Sequence, residues 1–204
     1  MKDICTEKIF LKDVAEHQMI ILRHEGLYRH IRFKRPNTIN MSFDLITWPG
    51  HLCYTGDMGT YVFCRLEDMF QFFRSSHPCQ PEEDTQLSIN PSYWAEKLAA
   101  VDRADGLREY SSDKFRDYFV EWMNENEAST ELQEEIEDNI LAYAEDGPEE
   151  AIKAAMEFEY EDEHLFTDFQ EISVETYTFR YLWCCYAMVW GINKYDKAKQ
   201  RSKQ

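Results

Sequence analysis

No run of apolar residues in this sequence is long enough to span a bilayer. The best stretch, "YLWCCYAMVWGI" (Tyr181–Ile192), is too short and follows Arg180. The start, "MKDICTEKIF", carries charge where a signal peptide needs an apolar centre, so an intracellular protein is expected. The six cysteines, Cys5, Cys53, Cys64, Cys79, Cys184 and Cys185, include no CxxC pair. That absence argues against a disulfide framework, and the thiols read as small buried hydrophobes. A phosphate loop is also missing, because "GDMG" (Gly56–Gly59) lacks the lysine and the hydroxyl of that motif and a strand follows it. No HExxH is present, and His51-x-Cys53 and His77-x-Cys79, the closest pairs of soft ligands, are too few for zinc. The reading therefore names no metal and no cofactor. There is no internal repeat. Cations are scarcest in one place: from Glu121 to Glu175, Lys153 is the only basic residue against 20 acidic ones.

What remains is a globular composition. Hydrophobic residues make up 44% of the 204 and aromatics 15%, enough for a sizeable core in one domain or one domain with a helical extension. The net charge of −17 divides into −3 over residues 1–120, −19 over 121–175 and +5 over 176–204.

Apolar spacing predicts an amphipathic first helix over Thr6–Glu16, with Ile9, Phe10, Leu11 and Val14 inward. "QMIILRHEGLYRHIRFK" reads as two strands turning near Glu25-Gly26, and "MSFDLITW", "HLCYTG" and "TYVFCR" as three more. Pro49-Gly50 and Asp57-Met58-Gly59 supply the reversals between them. Tight turns cannot carry parallel crossovers, so the five strands form an antiparallel meander. "LEDMFQFFR" follows as a short helix, and a polar connection over residues 76–90 separates residues 1–75 from an acidic helical half, 91–204. In that half Asn90 caps a helix with Pro91 at its first position, continuing through "SYWAEKLAAV". Further helices are predicted at Ser112–Asn126, Thr130–Ala144 and Pro148–Tyr160. A long last helix runs from about Glu175 to Lys199 with Phe179, Leu182, Trp183, Tyr186, Val189, Trp190 and Asn193 as its buried stripe. The fold class is α+β: an N-terminal helix and an antiparallel meander packed with a C-terminal helical half.

The strongest physical signal is the acidic segment. Leu132, Ile136, Ile140, Leu141, Ile152 and Met156 recur at helical spacing, so the carboxylates belong to folded helices rather than a loose tail. Glu131, Glu134, Glu135, Glu137, Asp138, Glu145 and Asp146 are the candidate partner-binding residues. Such one-signed charge destabilises a compact state by self-repulsion. A face of this kind can occupy a basic groove built for nucleic acid and release the same counterions, which is DNA mimicry. A secondary basic patch lies on the hairpin at Arg29, Arg32, Lys34 and Arg35, with Arg23 beside it. The patch is small and the net charge opposes it, so direct nucleic-acid binding is not expected. For an enzyme, Asp44, Asp57, Glu67 and Asp68 with His51 and Arg65 could converge near the sheet, or Cys64 could act with His51 across it. No signature supports either, and no catalytic residue is assigned.

The segments "LYRHIRFKRP", "FDLITWPGHLCYTGDMGTYVFCRLEDMFQFF", "INPSYWAEKL" and "FRYLWCCYAMVWGINKYDKAK" resemble a family of small, largely uncharacterised proteins encoded by tailed phages and prophages. The resemblance covers most of the chain apart from the acidic middle, and it carries over no site residues. It implies the host bacterial cytoplasm as location. By analogy with small acidic phage accessory proteins, it also implies an inhibitor of host defence, of anti-CRISPR or anti-restriction type. The expected partner is then a host defence protein or ribonucleoprotein complex, with no membrane, and a homodimer is compatible. Two other readings stand beside this one. One is a structural or regulatory phage protein that self-associates through its aromatic last helix, and the other an enzyme that modifies a host target through the sheet loops.

Overall fold

A computed structural model describes residues 4–75, 87–102 and 106–201. The chain divides into two compact units: residues 108–176 form one, and the segments on either side of them form the other.

The flanking segments build the sheet unit. Helix α1 (Glu7–Asp13) starts where the Thr6 hydroxyl accepts from the Ile9 amide at 3.3 Å, and it buries Phe10 and, just past its end, Val14. Strands β1 (Gln18–Glu25), β2 (Tyr28–Lys34), β3 (Phe43–Trp48), β4 (His51–Gly56) and β5 (Gly59–Cys64) then pair in sequence order, each antiparallel to the next. The turns fall where the sequence predicts them. Gly50 and Gly59 hold φ of 82° and 95°, a region costly for any residue with a Cβ. Helix α2 (Met69–Ser75) buries Met69, Phe70, Phe72 and Phe73.

Period-two alternation sorts the sheet into two faces. Ile31 and Phe33, Phe43 and Leu45, Leu52 and Tyr54, Tyr61 and Phe63 point into one core. His30, Ile46, Cys53 and Thr55 lie half-buried on the opposite side. Helix α7 (Phe179–Arg201) lies against the apolar face. Trp183 and Trp190 meet Phe43 and Phe33 at ring distances of 5.5 and 5.3 Å. The close approach needs Gly191, because a Cβ there would stand 2.8 Å from Leu45 Cδ1 and 3.0 Å from Phe33 Cε2. Trp183 also donates its indole N–H to Asp13 at 3.1 Å, and the Tyr181 hydroxyl donates to the Pro91 carbonyl at 2.8 Å.

Three local expectations change here. The helix opened by Asn90 and Pro91, α3 (Pro91–Ala95), ends after little more than a turn, and Leu98–Val101 becomes a sixth strand, β6, paired with β5. The helical propensity of "EKLAA" loses to ladder bonds that would otherwise leave the β5 edge open. The last helix begins at Phe179 rather than Glu175, with Thr178 supplying its oxygens to Tyr181 and Leu182. Its buried face is also rotated from the predicted stripe. Tyr181, Cys184, Cys185, Met188 and Ile192 are buried with Trp183 and Trp190, whereas Phe179, Leu182, Tyr186 and Val189 are half-buried and Asn193 is exposed. Enclosure on several sides lets cysteine and alanine occupy positions that a one-sided helix gives to larger residues. Cys5, Cys184 and Cys185 are buried as expected, and burial pushes the Cys5 thiol up to about 12, with Asp13 adding to it. Cys64 is exposed, and Cys79 lies outside the described residues.

The inserted unit has its own core. It opens with the short strand β7 (Arg108–Tyr110) and α4 (Ser112–Glu125), capped by the Ser111 hydroxyl at 3.2 Å from the Lys114 amide. Next come α5 (Thr130–Asn139), a 3-10 turn at Leu141–Tyr143 and α6 (Pro148–Glu157). The two-residue strands β8 (Glu159–Tyr160) and β9 (Glu163–His164) form a hairpin, and a second 3-10 turn (Phe169–Glu171) precedes β10 (Glu175–Tyr177), which pairs with β7. Phe115, Phe119, Phe166 and Phe169 pack ring against ring at 5.0–5.4 Å, with Ile136, Ile140, Ala151 and Ala155 around them. The predicted boundary at residue 90 therefore differs from the observed divisions at Leu107/Arg108 and Thr176/Tyr177. The last helix, grouped by sequence with the acidic half, belongs to the core of the sheet. No helix among the described residues is long and apolar enough to cross a membrane.

Candidate functional site: the acidic face of residues 108–176

The unit holds 23 carboxylates against four cations, a net −19, while the rest of the chain carries +2. Charge and architecture divide along the same lines. Within α5 the Ser129 hydroxyl accepts from the Leu132 amide, and Ile136 is fully buried with Leu132 beside it. At 100° per residue this turns Glu131, Glu134 and Asp138 to the side opposite Ile136 and sets Glu135 and Glu137 on its flanks. All five are exposed, as are Glu145 and Asp146 beyond the 3-10 turn. The helix carries five carboxylates and no cation in ten residues, about one charge per 3 Å of its axis. That is close to the ~3.4 Å per phosphate of one DNA strand.

Few cations answer these groups. Arg116 lies 3.7 Å from Glu145 and Lys153 3.9 Å from Glu157, while Lys114 donates to the Glu175 carbonyl at 2.7 Å. Asn139 holds Glu135 by donating to its carboxylate at 2.8 Å and to its carbonyl at 3.0 Å. The turn after α5 is fixed from below by Tyr110, whose hydroxyl donates to the Ala144 carbonyl at 2.9 Å. Burial, reinforced by Glu145, pushes that hydroxyl up to about 12. Gly147, at φ 118°, then lets Pro148 open α6, placing Glu149 and Glu150 at its electropositive first turn. Between α5 and α6 lies a cleft of about 490 Å³ whose walls include Glu135, Glu150, Glu157 and Glu159, with Lys153 and Tyr143.

Of the predicted residues, the structure brings Glu135 alone into this cleft. Glu131, Glu134, Glu137, Asp138, Glu145 and Asp146 extend the charged surface around it. Glu149, Glu150, Glu157 and Glu159 of the α6 region were not singled out from sequence. Their signal was present: they stand in and just after a segment whose Ala151, Ile152, Ala155 and Met156 already mark a helix with an inner side.

The basic hairpin is not a free cationic patch. Arg29 is 8% exposed, faces the core, and makes a bidentate pair with Asp68 at 2.8 and 3.0 Å over the Phe70 ring. Arg32 grips Asp44 with two bonds of 2.8 Å, and His30 shares the same carboxylate at 2.7 Å. Arg35 pairs with Glu16 at 3.1 Å and Arg23 with Glu25 at 2.6 Å, leaving Lys34 as the member of the patch with no ion pair among the described residues. Three of the four carboxylates considered for catalysis are thus held by structure: Asp44 and Asp68 by arginines, Asp57 by the Met41 amide at 2.9 Å. Burial alone would raise Asp44 and Asp68, yet their partners hold both below the usual carboxylate range. His51 and Cys64 are register partners, but the imidazole stacks on Trp48 and its Nδ1 bonds the Pro49 carbonyl at 3.2 Å. Among the described residues no three His, Cys, Asp or Glu side chains come together as metal ligands, and His77 and Cys79 lie outside those residues.

Compared with protein-family models, with curated proteins and with solved structures, the chain matches none. The resemblance to phage-encoded proteins therefore rests on the quoted segments alone.

Proposed function

We propose that the protein is a binding protein whose acidic helical unit docks on a basic, nucleic-acid-handling surface of another protein and blocks it. The observation that carries this reading is the net −19 confined to one folded unit with few internal cations. A surface of that density competes for the same lysines and arginines that phosphates would neutralise. Joined to the phage resemblance, the proposed role is inhibition of a host defence protein or ribonucleoprotein complex in the bacterial cytoplasm, of anti-CRISPR or anti-restriction type. Self-association through the aromatic last helix gains no support from Trp183 and Trp190, which are 0% and 9% exposed. For the reading as an enzyme in the sheet loops, Asp44, Asp57 and Asp68 are each engaged in fixed contacts.

The test measures DNA cleavage by a panel of CRISPR effectors and restriction enzymes with the parent protein and with Glu131→Lys, Glu134→Lys, Glu135→Lys and Asp138→Lys combined. The parent is expected to inhibit at least one nuclease with an affinity that falls steeply as salt rises. The reversed variant, folded by circular dichroism, should lose that inhibition. A variant that inhibits as well as the parent removes α5 as the binding face.

A further inference from the structure

On α6 the row Lys153–Glu157 is the common wall of two hollows. One is the anionic cleft of about 490 Å³ shared with α5. The other is an apolar groove of about 550 Å³ formed by Pro148, Ile152 and Met156, with Glu149 and Glu157 along it. The groove follows from the helix register. Ala151 and Ala155 take the fully buried positions, which leaves Ile152 and Met156, one residue further round, half-buried and open to solvent. Pro148, Ile152 and Met156 stand four residues apart and so form a continuous strip along the helix.

Each hollow selects for a property of its occupant, and together they select a combination. The strip rewards burial of apolar side chains. The cleft, with Glu135, Glu150, Glu157 and Glu159 against the single Lys153, rewards positive charge and repels anions. Tyr143, 44% exposed on the cleft wall, offers an aromatic ring to a cation as well. Nucleic acid is excluded by sign, and a neutral apolar segment would leave the carboxylates unanswered.

We propose that these adjoining hollows seat one amphipathic basic segment of a protein partner, with its apolar side chains on Ile152 and Met156 and its lysine or arginine side chains in the Glu135–Glu150 cleft. The inference rests on the acidic unit being a binding surface and adds the chemistry of the partner: helical-period apolar residues flanked by cations, bound in the helix-in-groove manner.

The test uses the full chain and two synthetic helical peptides of equal charge, one of leucine and lysine, one of alanine and lysine, titrated by calorimetry. The leucine peptide is expected to bind about tenfold or more tightly than the alanine peptide, the worth of two buried side chains. Ile152→Ser with Met156→Ser should erase that preference while leaving the salt dependence intact. Lys153→Ala removes an exposed cation whose pairing contributes little to stability, so it should tighten the leucine peptide several-fold with the fold unchanged. Equal affinities of the two peptides for the parent, or no gain from Lys153→Ala, overturn the seat on α6 while salt-sensitive binding through α5 survives. Absence of salt-sensitive binding by the parent overturns both.

Discussion

The two units of this chain handle charge in opposite ways. In the sheet unit, arginines and carboxylates are matched one to another: Arg29 with Asp68, Arg32 with Asp44, Arg74 with Asp196 at 2.7 Å. Over the whole unit the charges sum to a near-neutral +2. In the 108–176 unit, carboxylates outnumber cations nearly six to one and stand on the solvent side of helices. Both units bury a core rich in aromatic rings. The paired charges of the sheet fix geometry within the molecule. In the insertion the carboxylates of α5 and α6 face solvent with few cations beside them.

The comparison breaks most sharply at Phe119, which is fully buried and contacts Phe115, Phe166 and Phe169. Phe119→Ala should cost about 3–5 kcal/mol, and the unit that bears it also carries the repulsion of −19. Hydrogen exchange on the whole protein is expected to show amides of α4, α5 and α6 losing protection while those of β2–β5 and α7 keep theirs. Equal loss in both would mean that the two cores unfold as one block, and the separation by charge would then have no counterpart in stability.

A smaller effect sharpens the other side. Asp68→Asn leaves the Arg29 guanidinium, 9% exposed, without its carboxylate. Breaking such a pair costs about 3 kcal/mol, and urea unfolding should report the loss in the sheet unit. The pH dependence follows from the sign of the shifts. Asp68 and Asp44 are held below their ordinary value against the opposing effect of burial, so their contribution is present above the unfolded carboxylate pKa, about 3.9, and is lost as pH falls through the lower folded value. The Asn variant should therefore lose less stability than the parent on acidification below about pH 4. An unchanged acid limb would mean that the Arg29–Asp68 pair contributes nothing net.

Much of this division was legible in the sequence, because it depends on short-range signals. Turn residues at Gly26, Gly50 and Gly59 between short strand-forming runs located the meander, and the apolar spacing of Leu132, Ile136 and Ile140 located α5. What could not be read was whatever depends on a distant partner. The switch from α3 to β6 is decided by the open edge of β5, some 35 residues earlier in the chain. The face that α7 buries is decided by a sheet that packs Leu45 and Phe33 onto Gly191, so a periodicity count that favours large residues found Trp183 and Trp190 but missed Cys184, Cys185 and Met188. The basic hairpin misled for the same reason: Arg29 reads as a surface cation until Asp68, 39 residues on, is seen to meet it. Among the site residues, Glu135 belonged to a cleft that exists only once α6 lies beside α5.

The smallest expected effect separates the units by sign rather than size. Screening shortens from about 10 Å at 0.1 M salt to about 3 Å at 1 M. In the acidic unit this relieves repulsion among exposed carboxylates and should stabilise α4–α6. In the sheet unit it weakens exposed pairs such as Arg23–Glu25 and Arg35–Glu16, each worth about 0–1 kcal/mol. One hydrogen-exchange experiment on the full chain, run at low and high sodium chloride, reads both at once. Protection in α4–α6 should rise with salt by the equivalent of under about 1 kcal/mol, while protection in β1 and β2 stays level or falls. If both rise together, the salt is acting through general burial of apolar surface, and the −19 is not being felt as repulsion within its own unit.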